Sequence, residues 1–141
     1  MQAAQSAAGW TRVLDYGCGS GILAIGVALF GATNIDAVDI DPAAITSAQA
    51  NAAHNQVMLK AGLPDAVHGT YPLVFANILA SPLKLLAPVL CSHLGPGGNL
   101  VLAGILERQA DELKSAYSPW IALEVCDLDD GWILMVGHRP G

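Results

Sequence analysis

Basic residues are scarce in this chain: six Lys and Arg among 141 residues, against twelve Asp and Glu, for a net charge of −6. Six scattered cations cannot form the clustered stripe that phosphate contacts need, so direct binding of nucleic acid is not expected. Charged residues total 13% and aromatics 6%, whereas hydrophobic residues reach 53%. That balance excludes a disordered chain and fits a globular one rich in core. Long apolar runs are also missing. Gly, Pro or polar residues break them well short of the roughly 20 needed to span a bilayer, so no membrane association is expected. No basic stretch precedes an apolar segment near Met1, so no signal peptide is read there. Three cysteines, Cys18, Cys91 and Cys126, have no metal-ligand spacing and cannot all pair. They point to a reduced, cytoplasmic compartment and to no metal site. The length is that of one domain, expected over 1–141, burying about two-thirds of its unfolded surface.

What is present is glycine, placed with purpose. Val13 to Gly21 reads VLDYGCGSG, an apolar strand running into a glycine-rich turn, and Ala37 to Pro42 reads AVDIDP, a second strand ending in acid. Gly17, Gly19 and Gly21 let the backbone turn sharply and approach a ligand where a Cβ would clash. Ile22 to Phe30 then follows as an apolar helix ended by Gly31. The glycines therefore sit at a helix N-terminus, where free N–H groups favour a polar or anionic ligand group.

Spacing decides which ligand. The dinucleotide pattern G-x-G-x-x-G needs glycine where Ile22 stands, and no G-K-S or G-K-T follows to make a phosphate loop. Asp15 places an acid where a pyrophosphate would be repelled. An acid suits a ligand with a positive end, which favours S-adenosylmethionine, with its ammonium and sulfonium, over NAD or ATP.

The rest of the chain alternates. Asp41 and Pro42 read as an N-cap and N1 pair opening a helix over Ala43 to His54, with Ile45, Ala48 and Ala52 inward. Val57 to Lys60 is a short strand candidate, Leu63 to Thr70 is turn-like, and Tyr71 to Ala76 suits a strand buried on both faces. Asn77 ends that strand, and Ser81-Pro82 starts a helix carrying Leu83, Leu86 and Leu90. Gly95-Pro-Gly-Gly reads as a breaker before a strand at Asn99 to Leu106. Glu107 to Tyr117 is an amphipathic helix. Trp120 to Leu128 and Trp132 to Arg139 flank a D-G turn as a hairpin. Five βα units followed by an antiparallel hairpin define an α/β fold.

Five such units, G-x-G-x-G after the first strand and acid after the second, resemble the class I S-adenosylmethionine-dependent methyltransferases. The resemblance implies a Rossmann-like sheet of seven strands, mostly parallel, with helices on both faces. The segments LDYGCGSGILAI, AVDIDPAAI, FANILASPL and GGNLVLAGIL are similar to the catalytic domain of the ribosomal protein L11 methyltransferase family, from Thr11 onward. That likeness implies N-methylation of amino groups, lysine side chain or N-terminal amine, on a large-subunit ribosomal protein. Full-length relatives carry an N-terminal substrate-recognition domain and an F-G-T-G-x-H-x-T-T segment, neither of which is found here. The expectation is thus a single methyltransferase domain with the recognition domain absent, reaching its partner through that missing part. Two other readings stand beside it: a remnant that binds S-adenosylmethionine without catalysis, and a methyltransferase for another protein or small molecule.

Cofactor contacts are expected from Asp15, Gly17, Cys18, Gly19, Asp39, Ile40 and Asn77. Asp15 and the turn Gly17 to Gly21 would take the methionine end and ribose largely through backbone groups; the bland alternative is a tight βα turn with no ligand. Asp39 would accept from the ribose hydroxyls, with Asp41 as rival unless it serves as an N-cap. Ile40 is expected to pack on the adenine face, as the residue after that acid does in similar methyltransferases. Asn77 is the catalytic candidate, because in related amino-methyltransferases with an N-P-P-Y motif that Asn positions the nitrogen to be methylated. Its bland reading is a residue that only caps the next helix. Cys18 reads as a small filler beside the turn. His54, His68, His93 and His138 are isolated, and Trp10, Trp120 and Trp132 read as edge packing rather than a methyl-lysine cage.

Overall fold

A computed structural model describes residues 12–141, so Trp10 and Thr11 lie outside the described residues. Seven strands form one sheet: β1 (Val13–Tyr16), β2 (Ile35–Val38), β3 (Lys60–Gly62), β4 (Tyr71–Asn77), β5 (Leu94–Leu106), β6 (Leu123–Asp129) and β7 (Trp132–His138). Their order is β3-β2-β1-β4-β5-β7-β6. The first five are parallel, and β7 runs antiparallel to both β5 and β6. The helices are α1 (Ile22–Leu29), α2 (Pro42–His54), α3 (Ala80–Leu85), α4 (Ala87–Ser92) and α5 (Ala110–Tyr117). This is the Rossmann-like, mostly parallel sheet with an antiparallel C-terminal pair that the sequence implies.

Two apolar clusters show why both faces are covered. Successive strand residues point to opposite faces. On β4, Leu73 packs with Val13, Ala24, Val27, Ile35 and Ala48. The next residue, Val74, packs on the other face with Leu83, Leu90, Leu100, Leu113 and Tyr117. A strand buried on both sides has no polar face to show, hence the unbroken run YPLVFA. The Tyr117 hydroxyl donates to Leu83 O at 2.7 Å, tying α5 to α3 inside the second cluster.

Local boundaries depart from the sequence reading in five places, one being β6, which begins at Leu123 rather than Trp120. The breaker Gly95-Pro-Gly-Gly lies inside β5, because Leu94 already pairs with Tyr71 and the ladder then shifts register before Asn99. The single helix expected after Ser81-Pro82 is two, divided at Leu86. Pro88 explains the division: with no N–H and a ring that crowds the preceding turn, it suits only the first turn of a new helix. β3 is Lys60–Gly62 rather than Val57 to Lys60, since Gln56 leaves α2 with a φ of +57° and the chain needs further residues to reach β2. Finally, Glu107–Gln109 form a 3-10 turn before α5, with the Gln109 side chain accepting from the Leu106 amide at 2.8 Å.

Candidate active site

The crossovers leave β1 toward β2 on one side, while β4 lies on its other side. That reversal opens a crevice at the carboxyl ends of β1 and β4, the usual ligand position in open α/β sheets. Gly17 follows β1 there, and Asn77 ends β4.

The glycine turn is a real cradle. Gly17, Gly19 and Gly21 have φ of +77°, +55° and +85°, a region that L side chains enter only with strain. The Gly17 and Cys18 amides both donate to Val38 O, at 2.8 and 2.9 Å, which hangs the turn from the end of β2. A Cβ on Gly21 would lie 3.1 Å from the Ala48 Cβ, so this glycine also sets the approach of α1 to α2.

Asp39 closes the other side. Its carboxylate accepts from the Gly19 amide and the Asp41 amide, each at 3.0 Å. Asp41 instead accepts from the Ala43 amide at 3.0 Å as the N-cap of α2. The two acids therefore divide the work: Asp41 caps a helix, and Asp39 faces the crevice. Ile40, between them, is 81% exposed at the crevice mouth.

Asp15 is the anomaly of the site. It is 1% exposed, and neither carboxylate oxygen has a hydrogen-bond partner within the protein. Burial pushes its carboxyl up to about 6; the Ala24 amide opposes that rise, and the charge of Asp39 adds to it. Unpartnered buried charge is costly. Here it borders a hollow of about 290 Å³ that it shares with Gly17, Cys18, Gly19 and Asn77. The Cys18 thiol is pushed up to about 11 by burial and then by Asp15 and Asp39, so it stays protonated and is no nucleophile.

A second hollow of about 530 Å³ adjoins the first at Gly17 and Asn77 and is walled by Tyr16, Asp39, Ile40, Ile78 and Leu86. All seven sequence-predicted site residues border one or both hollows. Asn77 does not cap α3, whose N-cap Leu79 makes no side-chain bond. Sequence reasoning missed Tyr16, Pro82 and Leu85 as lining residues. Their signal was weak: apolar residues at these positions are indistinguishable from core without the topology. Among the described residues, no group of three or more His, Cys, Asp or Glu gathers as a metal site, and no helix is long and apolar enough to cross a membrane.

A family model described as ribosomal protein L11 methyltransferase (PrmA) matches residues 2–140. The chain belongs to this family. A relative from Polaromonas sp., named ribosomal protein L11 methyltransferase, is 67% identical over 124 residues, covering 88% of this chain and 42% of the relative. One from Bordetella parapertussis with the same name is 54% identical over 129 residues, again over 42% of its length. The chain thus spans less than half of these relatives. A solved ribosomal protein L11 methylase from Lactobacillus delbrueckii superposes with a TM-score of 0.84 at 33% identity, covering 99% of this chain and 78% of that one. An RNA methyltransferase from Salinibacter ruber, solved in complex with S-adenosyl-L-homocysteine, shares the fold at a TM-score of 0.70 and 21% identity, over 97% of this chain and 90% of that one.

Proposed function

We propose that this chain is the methyl-transfer domain of an S-adenosylmethionine-dependent protein N-methyltransferase acting on amino groups of a large-subunit ribosomal protein. The observation that carries the donor assignment is Asp15, a buried carboxylate without a partner beneath a glycine cradle. A ligand with an ammonium group supplies the missing counter-charge, whereas a diphosphate would add a second negative charge beside it. The residues present therefore fit S-adenosylmethionine, which when bound supplies a methyl group already activated on sulfonium sulfur.

The protein's own residues have three tasks. Asp15 and the backbone from Gly17 to Gly19 hold the amino-acid end, with Asp39 turned to the ribose and Ile40 to the adenine. Asn77 stands where the two hollows meet. Its side-chain oxygen accepts from the acceptor amine and aims the nitrogen lone pair, so alignment supplies much of the rate. The third task is the proton. A free lysine has a pKa of about 10.4, and no histidine borders either hollow. Desolvation by Ile78, Pro82 and Leu86 disfavours the ammonium and does the work that a base would otherwise do. Recognition of the ribosomal protein is assigned to the part of the relatives' length that this chain does not span.

Two measurements test this. Calorimetric titration with S-adenosylhomocysteine should show saturable binding; no heat would remove the donor assignment. In the full-length form, Asn77→Ala should keep that affinity while labelled methyl transfer to the ribosomal protein falls about 100-fold. Undiminished transfer would remove Asn77 from its role.

A further inference from the structure

One polar side chain reaches the glycine turn from behind. The Asn51 amide, on α2, donates to Ser20 O at 2.9 Å, joining residues 31 apart in sequence. Asn51 itself borders neither hollow. Here α2 meets α1 through small residues: Ala48 and Ala52 are buried, and Gly21 approaches Ala48 more closely than a Cβ would allow. Asn51 follows Ala48 by three residues and so lies on the same side of the helix. A half-buried amide in such a seam needs a partner, and the Ser20 carbonyl is the partner it has.

The turn is held one peptide at a time. The Gly17 and Cys18 amides donate to Val38 O, and the Gly19 amide donates to the Asp39 carboxylate. The peptide joining Ser20 to Gly21 is fixed at both ends: its N–H donates to Cys18 O at 2.9 Å, and its carbonyl accepts from Asn51. The peptide joining Gly19 to Ser20 lies between these held ones. Its N–H, on Ser20, has no partner among the described residues, and Ser20 borders the hollow that also holds Asp15. Sterics alone do not orient this stretch. Gly21, at a φ of +85°, has no Cβ to forbid the opposite setting of the peptide before it. The bonds at the two ends of that peptide make the choice, and the one from Asn51 is its anchor to α2.

We infer that Asn51 is a positioning residue for the donor: by holding the Ser20 carbonyl toward α2, it leaves the Ser20 amide to meet the carboxylate of the ligand's amino-acid end. The inference rests on the donor assignment made above. Asp15 offers a negative charge to the ammonium, and the Ser20 amide offers a donor to the carboxylate beside it. The hollow is then matched to a zwitterion and not to a cation alone. A Ser20 carbonyl released from Asn51 could turn its oxygen into the same hollow, where it would repel that carboxylate. Asn51 acts only through Ser20, since it borders neither hollow. Its loss should therefore be felt at the amino-acid end of the ligand and not at the nucleoside end, which lies with Asp39 and Ile40.

Two ligands separate positioning from plain support. S-adenosylhomocysteine carries the amino-acid end, and 5′-methylthioadenosine is the same nucleoside thioether without it. Asn51→Leu, close in size but with no donor, should weaken S-adenosylhomocysteine about tenfold by calorimetry and leave 5′-methylthioadenosine within about twofold. A tie that merely supports the fold would weaken both ligands alike or neither, and either outcome overturns the inference. The wild-type protein gives a second test that does not depend on the variant folding. The ¹H–¹⁵N signal of the Ser20 amide should move downfield on adding S-adenosylhomocysteine and stay in place with 5′-methylthioadenosine. A Ser20 signal that ignores bound S-adenosylhomocysteine overturns the inference. Failure of S-adenosylhomocysteine to bind the wild-type protein is read in its own titration and overturns the donor assignment instead.

Discussion

The two edges of one sheet are built on opposite rules. At the amino edge, where β1, β4 and β5 begin, polar groups satisfy one another. The Arg12 guanidinium donates to Thr70 O at 2.8 Å and His68 O at 2.9 Å, and lies 4.1 Å over the Tyr71 ring. The Tyr71 hydroxyl donates to Asp36, and burial plus that bond raise its pKa. Arg139 donates to Leu94 O, and a ring nitrogen of His93 lies 2.9 Å from Gly69 O. At the carboxyl edge the same sheet leaves Asp15 unpartnered, bends three glycines to positive φ, and exposes Ile22, Ile40 and Leu85 at 72%, 81% and 82%. A fold loses free energy at such an edge and keeps it only where a ligand or partner offsets the loss. Polar groups are paired at one edge and left open at the other.

Replacing Asp15 by Asn should break this contrast most sharply, in two opposite directions. S-adenosylhomocysteine affinity should fall at least about 100-fold, because the ammonium loses its counter-charge. The ligand-free protein should become more stable. The Asp15 carboxyl moves from 3.8 to about 6 on folding, so the native state holds its proton more tightly than the unfolded chain. That contribution is complete below about pH 4 and is lost as pH rises through about 6. At pH 7 the wild-type protein is therefore short of up to about 3 kcal/mol that an uncharged side chain would not cost. Chemical unfolding at pH 4 and pH 7 checks both the size and the sign.

Tyr71→Phe is the matching change at the other edge. It removes a hydrogen bond to a carboxylate and should cost about 2 kcal/mol, with S-adenosylhomocysteine affinity unchanged by calorimetry. Gly104→Ala should cost at least about 2 kcal/mol, from the positive φ and from a Cβ placed 2.9 Å from Ile78 O. Its larger effect should be on methyl transfer, through displacement of Asn77, with donor-product affinity retained. Lys84→Ala, which breaks an exposed pair to Glu112 at 2.9 Å, should change stability by less than about 0.5 kcal/mol and binding not at all.

The glycine turn and the acid after β2 were legible in the sequence because backbone rules write them there. Glycine at 17, 19 and 21, acid at 39, and Asp-Pro at 41 and 42 each state a local conformation that the structure adopts. Elements set by neighbours were less legible. β5 absorbs Gly95-Pro-Gly-Gly because Leu94 finds Tyr71 across the sheet, a pairing that no local signal announces. The hairpin was legible as a hairpin, but not its destination. Only its antiparallel pairing on β5 carries Asp129 and Trp132 to the carboxyl edge beside Asn77, where sequence alone read Trp132 as packing. That Asp15 has no partner was likewise invisible, because it depends on what fails to surround it.

The central claim is that the unpartnered carboxylate at residue 15 exists for a cationic ligand. Titrating S-adenosylhomocysteine from pH 7.5 to pH 5, in buffers of high and low ionisation enthalpy, tests it most directly. Binding should weaken as pH falls through about 6, and near that pH it should release a proton, so the apparent heat differs between buffers. Affinity and heat that ignore both pH and buffer would contradict the claim.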